Sequence, residues 1–141
     1  DINKGLTTAQ AFIDQGADVI LPVAGQVGEG AARAALDSGT ASIIWVDSDG
    51  YDTLSPDFRP VLLTSVLKNT GSAVVEIVKT SIDDTFDNAP FIGTLENGGV
   101  GIAPFHDLAP RVSAELSAEI DQLRSDIVAG TIVVTSPSTP R

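Results

Sequence analysis

Three positions in this sequence combine a chemically useful residue type with a place at the end of an apolar run. The carboxylate Asp47 directly follows the run ASIIWV, Lys68 lies two residues beyond VLLTSV, and Gly25 lies two residues beyond DVILPV. A carboxylate can accept hydrogen bonds from two neighbouring hydroxyl groups, and an ammonium group can donate to ring or hydroxyl oxygens. A glycine lets a ligand approach the backbone closely. The three residues could therefore bind an uncharged polyol, although a capping Asp47 and a solvated Lys68 explain the pattern equally well.

The elements around these residues decide whether they can meet. Three short apolar runs predict strands that are covered on both faces: 18–23, 41–46 and 61–66. Helical patterns alternate with these runs, and this alternation predicts an α/β fold with a largely parallel sheet. Ligands of such sheets bind at the carboxyl ends of the strands. The glycine, the carboxylate and the ammonium are all expected at those ends.

A hairpin is predicted in the second half of the chain. The pair Asn97-Gly98 lies between two apolar segments, 90–95 and 100–105. Asn-Gly is a strong short-range hairpin signal because both residues tolerate a positive φ angle.

The C-terminal part is predicted to contain one more helix and one more strand. The helix begins at Pro110 and ends at Gly130, and the strand covers 131–134. We expect residues 1–134 to form one lobe, because no linker is long enough to divide them, and 135–141 to be a polar, Pro-rich tail.

Composition limits the kinds of function. The chain has 141 residues, of which 43% are hydrophobic, as expected of a single globular domain. Its net charge of −11 disfavours nucleic acid and anionic membrane surfaces as partners. No apolar stretch approaches the length of a membrane span, so we expect no membrane insertion by these residues. The absence of cysteine excludes disulfides, thiolate zinc sites and cysteine nucleophiles.

The chain is expected to be part of a longer protein. It contains no methionine, so residue 1 is expected to arise by cleavage, processing or truncation. It also opens on a helix cap, Asp1, where a strand would be expected to precede the helix. We interpret the chain as a lobe that lacks its first strand, with any signal peptide or lipid anchor upstream.

Two features resemble catalytic or phosphate-binding motifs only superficially. His106 is the only histidine and lies beside Asp107, but no serine lies in a G-x-S-x-G turn and a metal would lack further nitrogen ligands. We therefore expect His106 to cap a turn, and we expect no catalytic residue, metal or cofactor. The glycines of 25–30 are spaced G-x-x-G-x-G, and Glu29 would face any phosphate, so phosphate binding is not expected.

Four segments in order, spread over essentially the whole chain, resemble the basic-membrane-protein (BMP) family. They are DQGADVILPVAGQVGEGAARAA, WVDSDGY, LLTSVLKNTGSAVVEIV and LENGGVGIAPF. Members of this family are substrate-binding lipoproteins of ABC importers that bind purine nucleosides such as inosine, guanosine or adenosine. The resemblance covers only the C-terminal half of such a protein.

The resemblance implies a fold and a setting. The family has the type I periplasmic-binding-protein fold, in which two α/β lobes joined by a hinge close on the ligand. This chain would be one three-layer α/β/α lobe, without the N-terminal lobe. The resemblance further implies an extracytoplasmic location, as a cell-membrane lipoprotein or a periplasmic protein, and an ABC transporter permease as the partner.

The resemblance also assigns roles to the three candidate residues. Gly25 would line the nucleoside pocket, Asp47 would bind the ribose hydroxyls, and Lys68 would make a further polar contact with the ligand. The sequence departs from the family pattern at Gly50, where glutamine is common, and in the AGQVG segment at 24–28, where AGGTG is usual. Because of the second departure, we expect the loop beside the pocket to differ in shape from that of the family.

A second hypothesis is a sugar- or autoinducer-binding sensor domain of the same fold. An enzyme is a distant third, because nothing in the sequence supplies a nucleophile or a metal. Binding of nucleosides without turnover would favour the first hypothesis, and preference for a free hexose or pentose would favour the second.

Overall fold

The computed structural model describes residues 1–138, so 139–141 of the predicted tail lie outside the described residues. It contains the helices α1 (Ile2–Asp14), α2 (Gly28–Ser38), α3 (Gly50–Thr53), α4 (Thr70–Ile82) and α5 (Ala114–Val128). Its strands are β1 (Val19–Ile20), β2 (Ser42–Asp47), β3 (Leu62–Lys68) and β4 (Val100–Ile102). Three short 3-10 segments cover Gly25–Val27, Pro56–Val61 and His106–Arg111.

The strands form one sheet in the order β1-β2-β3-β4. β1 and β2 pair in parallel with Val19 opposite Ser42, and β2 and β3 pair in parallel with Trp45 opposite Ser65. The predicted α/β fold with a largely parallel sheet is therefore confirmed.

The first strand is shorter and more exposed than its sequence predicts. We expected residues 18–23 to form a strand covered on both faces, but β1 has only two residues. Val19 is 44% exposed and Val23 is 78% exposed, so the prediction of full cover is wrong. β1 is the end strand of the sheet, and Pro22 has no N–H to extend the ladder.

Neither the first strand of the predicted hairpin nor the predicted final strand forms. Residues 90–95 and 131–134 are irregular, and Val133 and Val134 are 74% and 68% exposed. β-Branched residues favour strands only where they can pack against a neighbouring strand or another surface. The turn itself is present, since Gly98 has a φ of +69° and Val100 N donates to Thr94 O at 3.3 Å.

The last helix begins later than predicted. Pro110 lies inside the 3-10 segment His106–Arg111, and α5 begins only after Ser113. The Ser113 hydroxyl accepts a hydrogen bond from Leu116 N, which supplies the cap that starts the helix.

The chain divides into two units. The first unit comprises 1–67 and 102–112, and the second comprises 68–101 and, within the described residues, 113–138. Small side chains of α2 pack around β2 and β3 in the first unit, and its buried apolar residues include Ala31, Ala32, Ala34, Ala35, Ile43, Trp45 and Leu62. In the second unit, neither α4 nor α5 has a buried residue. No helix within 1–138 is long and apolar enough to span a membrane.

The segment 102–112 is fixed to the strands of the first unit at both ends. Ala103 N donates to Ser65 O at 2.9 Å, and the Thr64 hydroxyl donates to Ala103 O at 2.6 Å. At the other end, Arg111 Nη1 donates to the Ser42 hydroxyl at 2.9 Å. This segment carries His106, so the position of the histidine is tied to both β2 and β3.

Candidate functional site

Asp47 lies at the carboxyl end of β2 in an unusual backbone conformation. Its φ angle is +68°, and Ser48 N donates to Val46 O at 2.9 Å. A hydrogen bond between residues two apart around a positive φ defines a tight γ-turn, which is strained for a residue with a side chain. The side chain of Asp47 is exposed. The turn therefore presents the carboxylate to solvent at the end of the strand.

Gly25 occupies the corresponding position after β1. It begins the segment Gly25–Val27, has a φ of +54° and is exposed, with open space where a side chain would project. The left-handed φ favours glycine. Because β1 and β2 run parallel, Gly25 and Asp47 both follow carboxyl ends at one edge of the first unit.

Lys68 is the last residue of β3 and the first residue of the second unit. It is exposed. The next residue is firmly held, since Asn69 N donates to Gly99 O at 2.9 Å and Asn69 Nδ2 donates to Gly98 O at 2.5 Å. The predicted turn at residues 97–98 thus holds the backbone next to the lysine.

A cavity of about 220 Å³ lies elsewhere in the first unit, between α1 and the segment from β1 to the start of α2. Its walls are mainly apolar and include Phe12, Ile20 and Leu21. None of the three candidate residues lines it, so it is separate from the edge that carries Asp47.

Asp49 forms the centre of a polar cluster that sequence reasoning missed. Its Oδ2 lies 2.7 Å from His106 Nε2, and its Oδ1 accepts from Tyr51 N at 3.1 Å and from the Ser65 hydroxyl at 3.4 Å. Ser65 Oγ in turn accepts from Gly50 N at 3.0 Å. The side chains of His106 and Asp49 are only 23% and 19% exposed. We expected His106 to cap a turn, but its side chain instead bonds to a loop 57 residues earlier.

Tyr51 joins the histidine to the rest of the cluster. Its ring stacks on the His106 ring with 4.1 Å between centroids and 13° between planes, and the Arg59 guanidinium carbon lies 4.3 Å from the Tyr51 centroid. The Tyr51 hydroxyl donates to Asp107 Oδ1 at 3.1 Å. Partial burial and then the Asp107 carboxylate, which accepts this bond, raise the pKa of Tyr51 above 10.0.

The order of contacts in this cluster differs from that of a nucleophilic triad. A triad needs histidine between the serine and the carboxylate, so that the imidazole can take the serine proton. Here Asp49 lies between Ser65 and His106, and Ser65 is only 1% exposed. The cluster is arranged to hold a loop and not to activate a hydroxyl group.

The sequence contains little signal for this cluster. His106 is followed directly by Asp107, but the carboxylate that meets its ring is Asp49. Local spacing cannot reveal such a contact, because it depends on how segment 102–112 crosses the strands.

Comparisons with known proteins agree on a family and a fold. The sequence profile of the family described as "Bmp: ABC transporter substrate-binding protein PnrA-like" matches residues 1–138. Among solved structures, an ABC transporter solute-binding protein from Aeropyrum pernix K1 superposes with a TM-score of 0.78 at 21% identity, covering 98% of this chain and 45% of that one. The ABC transporter solute-binding protein from Conexibacter woesei gives 0.76 at 19%, covering 96% and 43%.

A third similar structure carries a different description. A protein from Bacillus halodurans described as a transcriptional activator of the comK gene superposes with a TM-score of 0.76 at 18% identity, covering 96% of this chain and 45% of that one. At these identities the structures share the fold alone. The chain spans less than half the length of each of the three.

Proposed function

Since this chain belongs to the Bmp family of PnrA-like ABC transporter substrate-binding proteins, we propose that it forms one lobe of an extracytoplasmic solute receptor. The lobe comprises residues 1–134, and a second lobe completes the binding cleft. The ligand is a purine nucleoside of the inosine, guanosine or adenosine class. The closed, loaded receptor delivers it to the permease of an ABC importer, and the receptor is a lipoprotein or a free periplasmic protein.

The observation that carries this proposal is the exposed carboxylate of Asp47 in its γ-turn at the end of β2. A carboxylate can accept from the 2′ and 3′ hydroxyls of a ribose together, and charge-assisted hydrogen bonds are stronger than neutral ones. Gly25 supports the assignment, because its lack of a side chain lets the ligand approach the backbone at the same edge.

Lys68 supplies the second polar contact in this proposal. It ends β3 and is exposed, and Asn69 fixes the backbone next to it. An ammonium group donates in three directions and can serve a ring oxygen or a hydroxyl of the ligand.

The test is a binding screen with the full-length protein. Calorimetry with inosine, guanosine and adenosine should give saturable binding without turnover, and the matching 2′,3′-dideoxynucleoside should bind much more weakly. Free ribose and glucose serve as controls. If the dideoxynucleoside binds as tightly as the nucleoside, Asp47 does not bind the ribose hydroxyls. If no nucleoside binds, the proposal is overturned.

A second candidate function is a sensor domain that binds a sugar or an autoinducer. The observation that favours it is the shared fold with the structure described as a transcriptional activator. The same screen separates the two, because a sensor of this kind should prefer a free hexose, a free pentose or a signalling molecule over every nucleoside.

A further inference from the structure

The strained turn at Asp47 requires something to hold it. A positive φ in a residue with a side chain is strained and persists only where the surroundings determine it. On the N-terminal side, the ladder between β2 and β3 fixes Val46 opposite Val66. On the C-terminal side, Ser48 Oγ lies 3.2 Å from Thr53 Oγ1, and the next residue, Asp49, is bonded to several partners.

Asp49 is held through its carbonyl, which accepts from Thr53 N at 3.1 Å and from the Thr53 hydroxyl at 2.8 Å, and through its side chain. The side chain bonds to the ring of His106, to Tyr51 N and to the Ser65 hydroxyl. Ser65 also accepts from Gly50 N. The ladder continues to Asp47 opposite Leu67, and the chain is fixed again at Asp49, which leaves Ser48 to make the connection.

His106 can act as the fixed point of this restraint because it is itself held firmly. Its ring stacks on Tyr51, and its segment is bonded to the sheet through Ala103 and Arg111. The contacts form a closed circuit, in which Asp49 bonds to Tyr51 N, Tyr51 bonds to Asp107, and Asp107 is next to His106 in the chain. Rotation of the imidazole away from Asp49 would break the stack with Tyr51.

We infer that His106 is a positioning residue for the ligand: through Asp49, it holds the γ-turn that presents the Asp47 carboxylate. This inference rests on the proposed role of Asp47 in binding ribose hydroxyls. His106 touches Asp49 and Tyr51 and acts on the ligand only through the loop between them. Without the histidine, the loop can relax toward ordinary φ values, and the carboxylate then points in several directions.

The test measures whether the effect of His106→Ala on nucleoside affinity depends on the Asp47 carboxylate. In the full-length protein, His106→Ala should weaken the binding of the preferred nucleoside about tenfold, which corresponds to about 1.4 kcal/mol. In the Asp47→Ala background, the same substitution should change affinity less than twofold, because coupled residues are not additive. The substitution should likewise leave the affinity for the 2′,3′-dideoxynucleoside within twofold, because that ligand lacks the hydroxyls.

The conservative variant His106→Gln provides a rescue, because its amide Nε2 can still donate to the Asp49 carboxylate. It should recover most of the lost affinity, and a folded variant is confirmed by an unchanged circular dichroism spectrum. If His106→Ala weakens all ligands equally in both backgrounds, the histidine has only a structural role and the inference fails. It also fails if wild type binds nucleosides and His106→Ala binds them equally well. Failure of the wild type itself to bind nucleosides would instead overturn the proposed function.

Discussion

Trp45 packs directly against the backbone of Gly50: a Cβ added at Gly50 would lie 2.9 Å from both Cβ and Cγ of the tryptophan. Trp45 is only 7% exposed and also lies against Gly28, where an added Cβ would be 2.9 Å from the indole ring. The departure from the family pattern at Gly50 thus has a physical reason. A tryptophan at 45 leaves no room for a side chain at 50.

Gly50→Ala should therefore lower the free energy of unfolding by about 1–3 kcal/mol, as overpacking of a filled core does. Urea denaturation of the 141-residue chain measures it. The matched control is Gly71→Ala, at a position inside α4 with open space around the new methyl group, which should be neutral or slightly stabilising. In a Trp45→Gly background, which removes both atoms that the new methyl group would meet, the cost of Gly50→Ala should disappear, and equal costs in both backgrounds would refute the steric explanation.

Asp47→Ala in the full-length protein should weaken nucleoside binding by about 2–4 kcal/mol, because it removes a charged acceptor from two hydroxyl groups. The variant should still fold, because Asp47 is exposed at the end of β2. The control is Asp57→Ala, which removes another exposed carboxylate, and calorimetry measures the nucleoside affinity of both variants. Similar affinities for the two variants would show that the loss of any surface charge has the same effect.

Lys68→Ala should weaken nucleoside binding by about 1.5–3 kcal/mol, the range of a hydrogen bond that involves a charged group. Lys79→Ala removes an equal charge from the last turn of α4 and should leave affinity within twofold. If Lys68 makes a short hydrogen bond to the ligand, raising the ionic strength should change the nucleoside affinity of both variants and of wild type by the same factor. A loss that disappears in high salt would contradict a short hydrogen bond from Lys68 to the uncharged nucleoside.

Tyr51 should ionise above pH 10.0, because partial burial and the Asp107 carboxylate disfavour the phenolate. A pKa raised by folding means that the protonated form is favoured in the native state. The stabilisation is therefore complete below pH 10 and is lost as the pH rises through the raised pKa. Tyr51 is the only tyrosine, so the ultraviolet absorbance of tyrosinate in the 141-residue chain reports it alone. Asp107→Asn should lower the midpoint, and an unchanged midpoint would contradict the assigned cause.

Sequence patterns predicted those parts of the fold that depend on local information. The buried runs that became β2 and β3 are apolar and end on polar residues, so Asp47 and Lys68 could be assigned to strand ends in advance. Residues 131–134 have an equally apolar, β-branched composition and form no strand. An apolar, β-branched composition makes a strand possible, but a strand forms only where a neighbouring strand is available to pair with it.

The part of the site that sequence patterns did not predict depends on contacts between residues that are far apart in the chain. The contact between His106 and Asp49 joins residues 57 apart, and the close approach of Gly50 to Trp45 depends on how the loop folds back on β2. The strain at Asp47 could not be predicted either. Aspartate is compatible with a positive φ but does not require one.

The packing of Trp45 also gives this chain a built-in optical reporter. It is the only tryptophan in the 141 residues, and its ring lies between Gly28, three residues after Gly25, and Gly50, three residues after Asp47. Movement of either turn changes the electric field and the quenching groups around the indole. Its fluorescence should therefore follow the arrival and departure of a ligand in real time, without any attached dye.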